Sequence, residues 1–178
     1  MNLPYITVSF APNEKTDNLK LSIGNSTIQL RQFDNEHATL IILGTPILGE
    51  KITYDEIWSQ VTDVGLPPEF LRQVNGEFLF ITLDKSSRSL RVSTDRYASI
   101  PFFYIKDKST FFGSVFYKDV WEYLKLNNQI KLNEHAIFEF LWLQRLLGTK
   151  TYDSRSSFLL GATTGTYRSG TITVRPYW

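Results

Sequence analysis

Cysteine is absent from the 178-residue chain, and histidine occurs only twice. The absence of cysteine excludes disulfides, thiolate metal sites and a cysteine nucleophile within this sequence. An excess of one charge is also missing, because 19 Lys and Arg residues are balanced by 18 Asp and Glu residues. A near-neutral chain lacks the electrostatic footprint of a nucleic-acid-binding protein, so we expect no nucleic-acid partner. For the two histidines, His37 and His135, we expect surface or capping roles, with no metal site.

Long hydrophobic runs are missing as well. No stretch reaches the roughly 20 apolar residues that a membrane-spanning helix needs. The N-terminal residues lack the basic start and the small-residue cleavage site of a signal peptide. We therefore expect no membrane partner and a cytoplasmic location. The chain length is typical of one domain, which we place at residues 1–178.

Aromatic and β-branched residues dominate what is present. Aromatic residues make up 15% of the chain, and segments rich in Thr, Ile, Val and Phe are separated by turn residues. This composition favours a sheet-rich α+β protein. The clearest strand is predicted at residues 77–83, after a turn at Asn75-Gly76, and both of its side-chain rows are apolar: Phe78 and Phe80 on one face, Leu79, Ile81 and Leu83 on the other. Such a strand has something packed on each side of it.

Other strands are predicted from alternating patterns and turn residues. Residues 89–93 alternate between apolar and polar side chains, which predicts a half-buried strand in a hairpin with 77–83. Residues 18–23 and 27–33 are expected to pair across a turn at Gly24-Asn25. Further strands are predicted at residues 4–10, 37–43, 102–105 and 109–114.

Helix signals occur at four places. Thr53 and Glu56 have capping-box spacing, which predicts a helix that Gly65 ends. Short helices are expected within 68–74 and around Trp121. The longest helix should run over 133–148 with Asn133 as its N-cap. Its broad apolar face predicts a helix laid on a sheet: Ile137, Phe140, Leu141, Trp142 and Leu146.

Three motifs occur in a telling order. Residues 76–84 read G-E-F-L-F-I-T-L-D, residues 94–104 read T-D-R-Y-A-S-I-P-F-F-Y, and residues 175–178 read R-P-Y-W. This order resembles the class II (Ntn-hydrolase-type) glutamine amidotransferase domain at the N-terminus of asparagine synthetases, over about residues 66–178. That family usually has R-D-R-x-G-x-x-P-L-Y-Y in the second place and R-x-Y-W in the third. The resemblance implies a four-layer αββα sandwich of two mainly antiparallel sheets flanked by helices.

The catalytic parts implied by the resemblance are missing from this sequence. The family uses an N-terminal cysteine whose thiol attacks glutamine, but position 2 is Asn2. The family's oxyanion hole has an asparagine where this chain has Leu43, although Gly44 could still offer a backbone amide. Residues 58–75 contain no G-S-D segment to hold the glutamine amine. We therefore expect a degenerate glutaminase site with no catalytic residue.

Other family positions point to structure or to a partner. The loop with Asp95, Arg96 and Pro101 mainly shapes the domain in the resembling family, so we expect a structural Asp95–Arg96 ion pair. Ala98 stands where the family has glycine. Three aromatic residues are candidates for an interface with a synthetase domain: Trp121, Tyr177 and Trp178.

Two functions follow from the resemblance. The first is a non-catalytic scaffold, the N-terminal part of an asparagine-synthetase-related ligase like the β-lactam synthetases and lasso-peptide cyclases. Its partner would be a C-terminal synthetase domain in cis or in trans, and a homodimer is a second assembly to consider. No cofactor is expected in this domain, and ATP and Mg are implied only for the synthetase domain. The alternative is a stand-alone module that binds a ligand or a protein.

Overall fold

The computed structural model describes residues 5–11, 18–24, 28–50, 54–62, 65–105 and 110–178. Its helices are α1 (Tyr54–Ser59), α2 (Pro68–Leu71), α3 (Tyr117–Leu126) and α4 (Glu134–Leu143). Its strands are β1 (Tyr5–Ala11), β2 (Asn18–Gly24), β3 (Leu30–Asp34), β4 (Ala38–Leu48), β5 (Val74–Asp84), β6 (Ser89–Thr94), β7 (Phe103–Ile105), β8 (Phe111–Ser114), β9 (Ser156–Phe158), β10 (Thr163–Arg168) and β11 (Thr171–Pro176). None of the helices described is long and apolar enough to cross a membrane.

The strands form two antiparallel sheets. The five-stranded sheet has the order β2-β1-β8-β7-β9, and the six-stranded sheet has the order β11-β10-β6-β5-β4-β3. The predicted hairpin of residues 18–23 with 27–33 is wrong, because β2 pairs with β1 and β3 pairs with β4 in the other sheet. β2 and β3 are edge strands of different sheets, so each pairs with the strand next to it in its own sheet. Residues 25–27, at the expected turn, lie outside the described residues.

Strand β5 is buried on both faces, as its sequence predicts. Leu79, Ile81 and Leu83 belong to the core between the two sheets. Phe78 and Phe80 stack at 4.3 Å between ring centroids in a second core, on the outer face of the six-stranded sheet. The strand begins earlier than predicted, however. Asn75-Gly76 is not a turn, because Gly76 lies opposite Pro46 within the β4–β5 ladder.

Helices cover the outer faces of both sheets, which gives the expected layered α+β sandwich. Ile57 of α1 and both Phe70 and Leu71 of α2 pack into the outer core of the six-stranded sheet. Val120 and Leu124 of α3 pack on the other sheet.

Strand β6 is more buried than predicted. It lies between β5 and β10, and its polar residues Ser89 and Ser93 are buried along with the apolar ones. The hydroxyls of Ser93 and Thr164 are hydrogen-bonded at 2.8 Å, which satisfies polar groups on this central strand.

Two helix ends differ from their predictions. Helix α1 ends at Ser59, because Thr62 and Gly65 form a separate turn in which each backbone N–H donates to the other's carbonyl. Thr53, the expected cap, lies outside the described residues. The side chain of Asn133 accepts from the Ala136 amide and caps α4 as predicted. That helix ends at Leu143, because Gln144 adopts a left-handed conformation with φ of 55°.

Replacing Phe80 with alanine should lower the free energy of unfolding by about 3–5 kcal/mol, because a fully buried ring is removed and a cavity is left. Urea denaturation measures the change. Tyr97→Ala is the matched control, since Tyr97 is 88% exposed, and it should cost less than about 0.5 kcal/mol. Small and equal effects from both variants would contradict burial of β5 on two faces.

Candidate functional site

The place expected for the oxyanion hole is closed. Leu43 is buried in the core between the sheets. The Gly44 amide donates to the Gln29 carbonyl at 2.8 Å, so it is not free to stabilise an oxyanion, contrary to the expectation that it could. A Cβ on Gly44 would lie 2.3 Å from the Glu77 carbonyl oxygen and 2.7 Å from Ile100 Cδ1. Only glycine fits this enclosed position, where φ is +88°.

The other candidates for catalysis do not converge on a site. Asn2 lies outside the described residues. His37 and His135 are both exposed, the first just before β4 and the second on α4. Within the described ranges, no group of three His, Asp or Glu residues is placed to hold a metal ion.

The carboxylate of Asp95 organises the loop after β6. It is buried and accepts backbone N–H groups from Phe78 at 3.2 Å, Tyr97 at 2.8 Å and Ser99 at 3.1 Å. The Ser99 hydroxyl donates to it at 3.2 Å. Ala98 lies in this loop with φ of 51°, a conformation that glycine adopts more readily, which gives the family's glycine a physical reason. Pro101 follows, half-buried, just before β7.

Arg96 does not form the expected ion pair with Asp95. Its guanidinium lies over the Trp178 ring, 3.7 Å from the centroid, which is a cation–π contact. Its Nη2 donates to the Arg72 carbonyl at 3.2 Å. The prediction is wrong because backbone amides satisfy the Asp95 carboxylate, which leaves Arg96 to bind the C-terminal segment instead.

Tyr177 is buried, so it is not a surface residue of this structure. It is 3% exposed, and its hydroxyl donates to the Thr94 carbonyl at 2.6 Å. Burial, with the nearby negative charge of Asp95, raises the pKa of Tyr177 to about 12. Trp178 is 63% exposed beside Arg96, and Trp121 is half-buried on α3. Of the three aromatic interface candidates, Trp121 and Trp178 can therefore reach a partner.

Helix α4 presents a large apolar surface to solvent. Ala136 is its only buried residue, so the prediction that its apolar face lies on a sheet is wrong. Phe140 contacts the Tyr152 ring edge-on at 5.6 Å, and Tyr152 contacts Tyr117 of α3 at 5.9 Å. The helix is thus attached along one side through aromatic rings. The α4 surface, which is 44–85% exposed at each residue, consists of Phe138, Leu141, Trp142, Leu143 and Leu147.

The sequence was compared with models of known protein families. A model described as a glutamine amidotransferase domain matches residues 57–178, more than two thirds of the chain. The chain belongs to the glutamine amidotransferase domain family. No match was found among curated proteins.

The matched range of this glutamine amidotransferase domain decides what membership implies. It contains the Asp95 loop, α4 and the C-terminal segment. The range begins after three positions that the resemblance assigns to the glutaminase site: Asn2, Leu43 and Gly44. Residues 58–75, where a glutamine-holding segment was expected, lie inside the matched range. Membership therefore rests on residues 57–178 and not on these three positions.

The exposure of α4 is the feature that sequence reasoning missed in this domain. Residues 136–143 read A-I-F-E-F-L-W-L, with Glu139 as the single charged residue. A helix that is apolar nearly all round is either buried or covered by another surface. The apolar composition of residues 136–143 could have predicted an exposed apolar surface, because one sheet can bury only one face of a helix.

Replacing Asp95 with alanine should lower the free energy of unfolding by about 3 kcal/mol or more, because the amides of Phe78, Tyr97 and Ser99 lose their acceptor. Asp95→Asn keeps one acceptor oxygen and should cost roughly half as much. Chemical denaturation of both variants measures the difference. An alanine variant as stable as the asparagine variant would contradict the anchoring role of the carboxylate.

Proposed function

We propose that this glutamine amidotransferase domain, residues 1–178, does not hydrolyse glutamine and serves as a scaffold for an ATP-dependent, amide-forming synthetase domain of the asparagine synthetase type. The synthetase domain is bound in cis or in trans. The observation that carries the proposal is the exposed apolar α4 surface, which supports a scaffold role. The closed position at Gly44 supports the lack of glutamine hydrolysis. We also propose a cytoplasmic location, which the lack of cysteine supports.

The loss of hydrolysis is supported by the chemistry that a glutaminase needs. A covalent route requires a nucleophile, a base and donors for the oxyanion. The carboxamide of Asn2 is not a nucleophile, and Leu43 has no donor in its side chain. The Gly44 amide is already bonded to Gln29. Loss of a single oxyanion donor typically costs about 10²–10³ in rate, and here the nucleophile is missing as well.

The scaffold role is supported by the kind of surface that α4 offers. Phe138, Leu141 and Trp142 are three and four residues apart, so they share one face of the helix. Contiguous exposed apolar patches mark interaction sites, and Trp and Phe are enriched at the centres of interfaces. A partner with a matching apolar face would bury this patch. ATP and Mg would be held by that partner.

The domain should release no ammonia from glutamine, because no covalent route remains. Asn2→Cys, with removal of Met1 verified by mass spectrometry, should also be inactive, since the oxyanion donors would still be absent. A coupled ammonia assay measures both proteins, with a cysteine-containing class II amidotransferase as positive control. Turnover by the unmodified domain would overturn this part of the proposal, and turnover by the variant alone would show an intact glutamine pocket.

A synthetase domain should be encoded with this domain, either in the same reading frame after Trp178 or in a neighbouring gene, and should carry an S-G-G-x-D-S phosphate-binding loop. Leu141→Ser should weaken the binding of the synthetase domain to this domain at least about tenfold, because the substitution places a hydroxyl in the centre of an apolar contact. Leu126→Ser is the matched control, since Leu126 is 84% exposed on α3, outside the α4 surface. Calorimetry or sedimentation measures the affinity.

Three outcomes would contradict the scaffold role. The first is equal binding by the two leucine variants. The second is a homodimer that Leu141→Ser dissociates, which would make a second copy the occupant of α4. The third is the absence of any S-G-G-x-D-S protein encoded with the domain, which would favour a stand-alone binding module.

A further inference from the structure

A cavity of about 500 Å³ lies on the outer face of the six-stranded sheet, where β6, β10 and β11 meet. Arg91 lies opposite Thr166, and Thr166 lies opposite Thr173, so one row of side chains crosses all three strands. The neighbouring residues on these strands, Leu90, Val92 and Tyr167, point the other way into the core between the sheets. The cavity therefore uses the side-chain row that the core leaves unused.

The polar lining of this cavity is strongly basic. Arg91, Arg168 and Arg175 contribute three guanidinium groups, and no Asp or Glu lines the cavity. Within the described ranges, none of the three forms an ion pair. Buried or clustered cations are normally paired, but the one carboxylate that acts on Arg91, that of Asp84, does not line the cavity and forms no ion pair with it.

Arg91 carries the second, independent sign of a missing ligand. Its Nη1 is buried and has no hydrogen-bond partner. Desolvation lowers the pKa of Arg91, and the like charge of Arg168 adds to this against the opposing effect of Asp84. A buried donor without an acceptor is destabilising, and an anion in the cavity would relieve it.

The remaining lining indicates the class of anion. Hydroxyl groups come from Thr166, Thr171 and Thr173, while that of Thr164 is bonded to Ser93, and an apolar wall comes from Leu66, Pro68 and Pro176. Three guanidinium charges are better matched by a phosphate group, with nearly two negative charges and three terminal oxygens, than by a carboxylate with one charge and two oxygens. The volume is in the range of small-molecule sites, about 300–1,000 Å³.

We propose that this cavity binds a small organic phosphate, with its phosphate group against Arg91, Arg168 and Arg175 and its apolar body against Leu66 and Pro68. This site is separate from the closed glutaminase position at Gly44 and from the α4 surface. It requires neither a glutaminase reaction nor a synthetase partner. The proposal therefore stands or falls on its own measurement.

Titration calorimetry of the purified protein with phenyl phosphate, at constant ionic strength, tests the proposal. We expect saturable binding that is tighter than the binding of benzoate. Arg168→Gln and Arg175→Gln should each weaken it about tenfold or more, because each removes a charge-assisted contact. Both arginines are exposed, so the fold should tolerate these substitutions. Arg155→Gln is the matched control, with the same charge change at an exposed position outside the cavity, and should bind like the unmodified protein.

Any of three results would overturn the proposal. One is the absence of saturable phenyl phosphate binding up to about 10 mM, a concentration well above the affinity of a formed site. Another is equal weakening by Arg155→Gln and the two cavity variants, which would show a general charge effect. The third is benzoate binding as tightly as phenyl phosphate, which would assign the cavity to carboxylates instead.

Discussion

The buried carboxylate and backbone of Asp95 join parts of the chain that are distant in sequence. The Asp95 carboxylate accepts the Phe78 amide, and the Asp95 amide donates to the Phe78 carbonyl, which fastens the loop to β5. The Asp95 carbonyl accepts the Ala162 amide, and the Ala162 carbonyl accepts the Tyr177 amide. One run of hydrogen bonds thus leads from the central strand to the C-terminal segment. Phe78, Asp95 and Tyr177 are buried, where an unmet donor or acceptor is most costly, so these bonds stabilise the connection between the segments.

These hydrogen bonds all lie within residues 57–178, the range that the glutamine amidotransferase family model matches. The motifs around Asp95 and Tyr177 are joined by hydrogen bonds, since the Tyr177 hydroxyl donates to the Thr94 carbonyl and the Tyr177 amide reaches Asp95 through Ala162. A glutaminase also needs a nucleophile and oxyanion donors, which the resemblance places near the N-terminus and on β4, before the matched range. A chain can lose the second set and keep the first, because a fold does not depend on the chemistry it carries. At Gly44 the amide donates to the Gln29 carbonyl, so the backbone ladder uses the group that an oxyanion hole would need.

Sequence reasoning succeeded where the signal was local and failed where it depended on pairing. The two apolar rows of β5 follow from the alternation of side chains along one strand, and the cap at Asn133 follows from its own side chain. The pairing of β2 and β3 depends on which strand offers an open edge, which no turn sequence encodes. The Asp95–Arg96 pair failed for a related reason, because adjacent residues in the sequence had better partners far away. The basic cavity arises from the register of β6, β10 and β11. Arg91 precedes Arg168 by 77 positions and Arg175 by 84, so no local sequence pattern predicts that they line one cavity.

The two proposed binding surfaces lie in opposite layers of the sandwich. Helix α4 is attached to α3, which packs on the outer face of the five-stranded sheet. The basic cavity opens on the outer face of the six-stranded sheet, next to α2. Both sheets and the core between them separate the two surfaces, so a protein bound at α4 would leave the cavity open. The C-terminal segment borders the cavity at Tyr177 and contacts the Asp95 loop through Trp178, which lies against Arg96. Because Asp95 accepts the Ala162 amide and Ala162 accepts the Tyr177 amide, these hydrogen bonds fix the Tyr177 side of the cavity to the central strand β5.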